Sequence, residues 1–280
     1  MPEPDRGWAW RLSDEDRAAL PLTKRFRHSL AKSKGGLSLY EHTMDSTKVA
    51  VHVLERLAFG NYPLEKRDTL VLATYLHDVG KLDQDFQKML YYRSIGDEES
   101  VRGLRRVKHE ASSLDAEFRQ LVERDLDDAI TAVVEATDYQ ARKERVNLED
   151  VFAFAVSHHG LFYVSVEEWP GRPETMLTRR RWTTFYPREK RRITLTDLLL
   201  RYHPLGGLVI ISDLVASYCH GENICLKTVL GKHETVEDFI ADVLMPNVET
   251  LDAHIRADNG RDYGLRNTLR LLLGGLRYDG

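Results

Sequence analysis

Residues 64–79 constrain the fold of this 280-residue chain more than any other stretch. They read LEKRDTLVLATYLHDV, and the part from Leu70 to Leu76 is apolar enough for a helix at the centre of a protein core. The adjacent His77 and Asp78 close this apolar run. Such a pair is either a satisfied buried histidine beside an ordinary acid or part of a metal site. Only ligands from elsewhere in the chain can decide between these alternatives.

The remaining hydrophobic patterns predict a mainly helical chain. The expected helices span 41–59, 64–79, 101–124, 126–136, 147–158, 194–202, 206–218, 234–245, 247–257 and 262–277. Residues 151–157 also suit a short buried strand, but their position before His158 and Gly160 favours a helix end. Residues 161–193 are rich in aromatic residues and arginine. We therefore predict an all-α helical bundle with a basic loop or β-hairpin insertion around 161–193.

The composition excludes several classes of protein. Hydrophobic residues make up 42% and charged residues 30%, as in ordinary soluble globular proteins. The net charge of −4 means that any nucleic-acid contact needs a local basic patch. Two cysteines, Cys219 and Cys225, cannot form a Cys-rich zinc site and suit a reducing cytoplasm. We see no signal peptide, no membrane span and no P-loop, because Gly80-Lys81 is followed by Leu82.

Histidines and aspartates recur on the predicted helices in an order that suits a metal centre. They are His42, His77, Asp78, His109, His158, His159 and Asp213. Asp213 lies in the apolar stretch GLVIISDLVASY, where an unpaired carboxylate would be costly. A single histidine is more often a core or surface residue, and a buried aspartate can bond to backbone or arginine. The hypothesis of a metal centre therefore depends on the order of all seven.

Seven imidazole and carboxylate groups are more than one metal ion needs. They suit two ions about 3.5–4 Å apart that share a carboxylate. Nitrogen-rich ligation favours divalent transition-metal ions, Mn, Fe, Co or Ni, over Mg. Such a pair can activate a shared water and polarise a phosphoryl oxygen, which predicts hydrolysis of a phosphate ester without a protein nucleophile.

These motifs resemble the HD superfamily of metal-dependent phosphohydrolases. More narrowly, they resemble the HD nuclease of type I CRISPR interference, which is the nuclease part of the effector helicase–nuclease. The stretches that carry the narrower resemblance are AKSKGGLSLYEHTMDSTKVA, LHDVGKLDQDFQKML, KHEASS, SHHG and SDLVAS. Phe86-Gln87 is the more specific feature, since generic HD enzymes do not share it. The resemblance covers residues 30–220 and implies a single HD nuclease domain over 1–280, with C-terminal helices at 234–277 packed on its core.

The resemblance also implies roles for the site residues. It divides the seven side chains between two ions that share Asp78. One ion would be held by His42, His77, Asp78 and Asp213, and the other by Asp78, His109, His158 and His159. Asp78 and Lys81 are the expected catalytic residues, with Lys81 neutralising charge at the scissile phosphate.

The resemblance implies an endonuclease, then processive exonuclease, that hydrolyses phosphodiester bonds of single-stranded DNA. The implied partners are a helicase, as a separate subunit or a fused domain, and the CRISPR surveillance complex. A cytoplasmic location and no membrane association are expected.

The basic segment after the tandem histidines is a candidate DNA-binding surface. Its arginines alternate with aromatic rings, a composition that suits backbone contacts and base stacking on single strands. The candidate residues are Arg179, Arg180, Arg181, Trp182, Arg191 and Arg192. A docking surface for the helicase and a solvated loop are the alternatives.

Two other functions stay open. An HD phosphohydrolase for small nucleotides, such as a dNTP or a cyclic nucleotide, would need a closed pocket with base-reading residues, and the open basic segment argues against it. A non-catalytic scaffold with a structural metal site would need only about four ligands.

Overall fold

The computed structural model describes residues 8–56, 64–107, 109–113, 115–158, 167–168, 175–176, 205–231, 241–242 and 245. The α-helices among them are α1 (Asp14–Ala19), α2 (Leu22–Arg27), α3 (Leu39–Arg56), α4 (Leu64–Leu76), α5 (Gln84–Ser94), α6 (Glu98–Arg102), α7 (His109–Ser112), α8 (Ala116–Arg124), α9 (Leu126–Thr137), α10 (Leu148–Ser157), α11 (Leu205–Gly221) and α12 (Leu226–Leu230). Short 3₁₀ turns lie at Ala9–Arg11, Val79–Leu82 and Lys143–Arg145. The prediction of an all-α bundle is confirmed.

A short hairpin lies within the predicted insertion. Strand β1 (Glu167–Glu168) pairs antiparallel with β2 (Thr175–Met176), and Glu167 lies opposite Met176. The rest of 161–193 is outside the described residues, as are most of the predicted C-terminal helices. The assignment of 1–280 to a single domain stays a prediction.

Helix α4 is the centre of the bundle. It packs against α3 on one side and α10 on another, and it also contacts α9 and α11. Every residue of α4 from Asp68 to Leu76 is buried, so the helix has no solvent-facing side over this length. A helix buried all round needs a continuous apolar run, which residues 70–73 supply. The prediction of a central helix here is confirmed.

The N-terminal half of α3 is buried although it is polar. Its hydroxyl groups satisfy their hydrogen bonds within the helix, because Thr43 donates to the Leu39 carbonyl at 2.9 Å and Thr47 to the Thr43 carbonyl at 2.7 Å. A buried hydroxyl that has such a partner avoids the cost of desolvation. This arrangement lets α3 pack tightly on α4 and α11 while it carries polar residues into the interior.

Three details of the predicted helices differ from the structure. The single helix expected over 101–124 is wrong, because α6 ends at Arg102 and α7 and α8 follow as separate helices. Gly103 is the C-cap of α6, and Asp115 has an extended backbone before α8. The helix expected over 64–79 ends at Leu76, so His77 begins a turn. The helix expected at 147–158 is confirmed as α10, although its C-cap is His158.

Among the described residues, no helix combines the length and the apolar character that crossing a membrane requires.

Candidate metal centre

Five parts of the chain bring six ionisable side chains into one cluster. His42 lies in the first turn of α3, His77 and Asp78 follow α4, and the others come from α7, the end of α10 and the middle of α11. We call these residues the His/Asp cluster: His42, His77, Asp78, His109, His158 and Asp213. Because ligands far apart in sequence converge, only the complete bundle assembles the site.

The His/Asp cluster is almost closed to solvent. His77 and Asp78 have no exposed surface. The most exposed side chains of the cluster belong to His109, at 13%, and Asp213, at 14%. Among the described residues, these two side chains give the cluster most of its contact with solvent.

The carboxylate of Asp78 stands at the centre of the cluster, and its two oxygens face different histidines. Oδ2 lies 3.3 Å from His42 Nε2 and 3.4 Å from His77 Nε2. Oδ1 lies 3.2 Å from His109 Nε2 and 3.4 Å from His158 Nε2. One carboxylate thus separates four imidazole rings into two pairs.

Asp213 completes the first of these pairs from the opposite side. Its Oδ1 lies 3.0 Å from His42 Nε2 and 3.8 Å from His77 Nε2. The hydroxyl of Ser217, one turn further along α11, donates to the same oxygen at 3.2 Å. His42 and His77 therefore lie between two carboxylates.

The spacing of the donor atoms fits coordination of metal ions. Ligand atoms about 2.1 Å from one ion lie roughly 3.0–3.5 Å from each other. The donor atoms of His42, His77 and Asp213 lie within 4.8 Å of one another, and so do those of His77, Asp78 and His158. His77 Nε2 is buried between the carboxylates of Asp78 and Asp213. These two groups of donor atoms could each hold a metal ion.

Backbone carbonyls orient two of the imidazole rings. The Nδ1 of His77 lies 2.6 Å from the Thr74 carbonyl, and the Nδ1 of His158 contacts the Ala155 carbonyl. Because a carbonyl oxygen only accepts, each Nδ1 carries the proton and donates it. In the neutral ring, Nε2 then keeps its lone pair for a metal ion. The end of each helix thereby fixes both the direction and the tautomer of the histidine that follows it.

Lys81 supplies positive charge at the edge of the cluster. Its Nζ lies 2.6 Å from Asp78 Oδ2 and 3.4 Å from the Ala31 carbonyl. The residue is 8% exposed, so this ion pair is largely shielded from water. The 3₁₀ turn after Asp78 places the lysine one turn away on the same side of the chain.

Gly80 allows the backbone of α7 to approach the turn that carries Asp78. A Cβ at this position would lie 1.8 Å from the His109 carbonyl oxygen and 2.7 Å from the Ser113 nitrogen. Both neighbours are backbone atoms, which cannot move without shifting α7. A side chain at position 80 would therefore displace His109 from Asp78.

Phe86 and Gln87, whose dipeptide the sequence singled out without a role, support the cluster from α5. The rings of Phe86 and His109 are 5.0 Å apart between centroids. Gln87 accepts from the Leu30 nitrogen at 2.7 Å and donates to the carbonyls of Leu30 and Lys81 at 2.9 and 2.8 Å. The Gln87 amide thus joins the segment before α3 to the turn that carries Lys81.

Charge interactions within the cluster keep its acids ionised. Burial alone would raise the pKa of Asp78, but Lys81 and His77 hold that pKa well below its ordinary value. Burial likewise opposes ionisation of Asp213, and hydrogen bonds from His42 and His77 lower its pKa well below normal.

The pKa values of two histidines in the cluster are shifted in opposite directions. Burial would lower the pKa of His77, but Asp78 and Asp213 raise it to about 10. Burial lowers the pKa of His158, which favours its neutral, metal-binding form. The protein thus offers two carboxylates and a neutral imidazole to a cation.

The structure brings six of the seven predicted ligands together. The seventh, His159, lies outside the described residues. So do the candidate DNA-binding residues Arg179, Arg180, Arg181, Trp182, Arg191 and Arg192. No sequence pattern predicts that Gln87 links two segments, because its partners are backbone atoms and Leu30 is 57 positions away.

A helical bundle that gathers histidines and aspartates around one buried carboxylate defines a metal-dependent hydrolase of the HD type. The chain belongs to the Cas3 HD-domain family: the family model described as "Cas3, HD domain" matches residues 27–220, more than half of the 280 residues. It is therefore a CRISPR-associated, metal-dependent HD nuclease. No curated protein and no solved structure matches the chain.

The Gly80→Ala variant tests the close approach of α7. We expect a loss of about 1–3 kcal/mol in the free energy of unfolding, because the new methyl group overlaps backbone atoms. Urea unfolding measures this loss, and titration with Mn²⁺ shows whether the displaced His109 weakens metal binding. Gly103→Ala is the matched control, since its Cβ would come no closer than 3.6 Å to another residue. Equal stability of the two variants would contradict the proposed contact.

The Gln87→Glu variant tests the amide bridge while it keeps the shape of the side chain. It replaces the donor that faces two carbonyl oxygens with an acceptor, which we expect to cost about 2–3 kcal/mol at neutral pH. Protonation of the new carboxyl restores a donor, so the loss should shrink as the pH falls from about 8 to about 5. Urea unfolding across this range provides the measurement. The exposed Gln120→Glu serves as control, and a pH-independent loss at position 87 would count against the bridge.

Proposed function

We propose that this chain is a dinuclear metal-dependent nuclease that hydrolyses phosphodiester bonds of single-stranded DNA in type I CRISPR interference. It acts with a helicase that supplies the strand. The observation that carries the proposal is the position of Asp78, whose two oxygens face two separate pairs of imidazole nitrogens.

This geometry supports a division of the ligands between two ions. Asp78 Oδ2 would serve the first ion and Oδ1 the second, so that Asp78 bridges them. The first ion would be held by His42, His77, Asp78 and Asp213, and the second by Asp78, His109, His158 and His159. The distances from Asp78 and Asp213 to the described histidines follow this division.

The donor set favours particular metals. Imidazole nitrogens predominate over carboxylate oxygens, which suits Mn, Fe, Co or Ni better than Mg. Two such ions would supply an activated water and positive charge at the phosphoryl group. The protein's contribution is to hold the donors in place, and the carbonyl bonds of His77 and His158 do this for two rings.

Lys81 is the proposed phosphate-binding residue. Its ammonium group lies 2.6 Å from the bridging carboxylate, so a phosphodiester beside Asp78 would also lie beside Lys81. A fixed positive charge there stabilises the negative charge that develops in the transition state. Asp78 is held in its ionised form and therefore serves as a ligand, not as a proton donor.

The burial of the cluster favours a single strand as substrate. Asp78 is inaccessible, and even His109 and Asp213 expose less than a sixth of their side chains. To bring a phosphodiester near them, the nucleic-acid backbone must bend sharply toward the cluster. A single strand can bend in this way, whereas duplex DNA is stiff over about 150 base pairs.

The basic segment is the proposed path for that strand. Residues 172–192 combine arginines with aromatic rings, and the segment begins 14 positions after His158, which closes α10. The proposed contacts are Arg179, Arg180, Arg181, Trp182, Arg191 and Arg192. Arginine would follow the phosphates and the rings would stack on bases.

A metal-dependent cleavage assay tests the proposed function. Full-length protein is stripped of metal, and Mn²⁺, Co²⁺, Ni²⁺ or Mg²⁺ is returned before circular single-stranded DNA is added. We expect cutting of the circle, intact duplex DNA, and at least a 10²–10³-fold loss in Asp78→Ala, roughly the cost of losing a major electrostatic group. Asp127→Ala is the control, because its side chain is 72% exposed and pairs with Lys143 far from the cluster.

Each failure of this assay has a separate meaning. No cutting with any metal, at verified occupancy, would contradict a nuclease that acts without its helicase. Hydrolysis of dNTPs or cyclic nucleotides in place of DNA would replace the proposal with a small-molecule phosphohydrolase. Equal activity of Asp78→Ala and Asp127→Ala would show that the His/Asp cluster takes no part in catalysis.

The His109→Ala variant tests whether two ions are required. It removes a ring from the Oδ1 side of Asp78 and leaves His42, His77 and Asp213 in place. We expect the number of tightly bound Mn²⁺ ions to fall from two to one, and cleavage to fall with it, because the second ion would supply part of the positive charge at the phosphoryl group. Equilibrium dialysis gives the stoichiometry. Full cleavage with one ion bound would exclude the dinuclear mechanism.

A further inference from the structure

A short loop lies just before α3, beside the His/Asp cluster. It spans residues 32–37, and we call it the lysine loop because it carries Lys32 and Lys34. An antiparallel β-bridge between Leu30 and Ser38 joins its two ends. The loop is therefore closed at its base like a small hairpin, and its position relative to α3 is fixed.

The first residue of the lysine loop lies close to the cluster. The carbonyl of Ala31, the residue before it, accepts from Lys81 Nζ at 3.4 Å, and the same Nζ lies 2.6 Å from Asp78 Oδ2. The Cα of Lys32 is therefore at most about 9 Å from that oxygen. A lysine has a flexible four-carbon stem, so the Lys32 ammonium can cover much of this distance.

The tip of the lysine loop rests on the last turn of α11. A Cβ on Gly35 would lie 3.2 Å from Nε2 of His220, and the φ angle of Gly35 is +80°, which other residues rarely adopt. His220 follows Asp213 by two helical turns, which is about 10 Å along the axis of α11. The loop therefore extends from the neighbourhood of Lys81 to the part of α11 that follows Asp213.

Charge interactions agree with this placement. Partial burial lowers the pKa of His220, and the charges of Lys32 and His42 lower it further. Asp45 and Glu41 oppose this shift. Lys32 and the candidate ligand His42 thus both lie close enough to His220 for their charges to act on it.

The acids near the lysine loop have partners of their own. Glu41 accepts from the nitrogen and the hydroxyl of Ser38 at 3.0 and 2.6 Å, as in a capping box that begins α3. Asp45 pairs with Lys48 at 2.9 Å. The loop itself contains two lysines and no acid. It is therefore a local positive charge beside the cluster, on a chain whose net charge is −4.

We propose that the lysine loop binds phosphates of the DNA strand next to the scissile one, through Lys32 and Lys34. This proposal rests on the proposed function, because the strand is the one that the His/Asp cluster cuts. Lys34 is exposed and Lys32 is half-buried. A lysine neutralises a phosphate as a point charge. Both lysines are positioning residues, because they hold the strand and leave the reacting atoms to the cluster.

Binding of single-stranded DNA in EDTA tests the lysine loop without cleavage. Full-length protein is titrated into fluorescein-labelled oligo(dT) at several salt concentrations, and fluorescence anisotropy gives the Kd. Lys32→Gln and Lys34→Gln should each weaken binding and reduce the slope of log K against log salt by about 0.7, the value for one phosphate on a single strand. Lys32→Arg should keep the wild-type slope, because it keeps the charge.

A control and a kinetic measurement separate this role from a general effect on the fold. Lys143→Gln removes a half-exposed lysine that pairs with Asp127, and it should leave the slope unchanged. With Mn²⁺ present, Lys32→Gln and Lys34→Gln should raise KM for cleavage and leave kcat unchanged, because they remove binding shared by ground state and transition state. The exposed Lys34→Gln alone decides the matter if Lys32→Gln fails to fold.

The outcomes distinguish the lysine loop from the proposed function. Wild-type slopes in both glutamine variants, in a protein that cuts DNA, would overturn the lysine loop and leave the nuclease in place. A fall in kcat with KM unchanged would also overturn it. The expected slopes without any cutting would support the loop as a strand-binding site and contradict the nuclease. Neither binding nor cutting by wild-type protein would overturn both.

Discussion

The buried carboxylate of Asp78 is the interaction on which the rest of the structure depends. A fully buried charge is strongly unfavourable unless partners surround it, and Asp78 has four imidazole nitrogens and an ammonium group within 3.4 Å. These partners come from α3, α7, the end of α10 and the turn that Asp78 itself occupies. Folding of the bundle and assembly of the site are therefore the same event. The core is therefore arranged around a buried charge, and a bound cation would offset the cost of burying it.

The eleven residues from His77 to Gln87 show why this motif is longer than a His-Asp pair. Gly80 leaves room for the backbone of α7, and Lys81 forms an ion pair with Asp78. Asp83 caps α5 by accepting from two backbone nitrogens in the first turn of the helix. Gln87 then ties the turn to the segment before α3. Each position meets a different requirement of distance, charge or hydrogen bonding. A substitution at any of them would alter the geometry around Asp78 without removing a ligand.

The sequence predicted the parts of this protein that depend on local pattern. The apolar run at 70–76 marked α4, and the order of histidines and aspartates marked six residues that the structure does bring together. The break within 101–124 was missed because helical periodicity continues across Gly103, and the need to place His109 against Gly80 is a tertiary contact. The role of Gln87 was hidden for the same reason. Sequence patterns identify helices and the types of candidate ligand. Contacts between backbone segments that are distant in sequence decide how the helices are connected and packed.

The charge of the chain bears on how a strand reaches the proposed site. With a net charge of −4, the protein has no overall attraction for DNA, whose binding to proteins is dominated by neutralisation of phosphates. Under the proposed function, capture of a strand depends on local groups such as Lys81 and the basic segment, or on other polypeptides. The sequence contains no GxxxxGK[ST] motif, because Gly80-Lys81 is followed by Leu82. Under the proposed function, a nearly closed centre on a protein of net negative charge depends on a helicase to bring single strands to it.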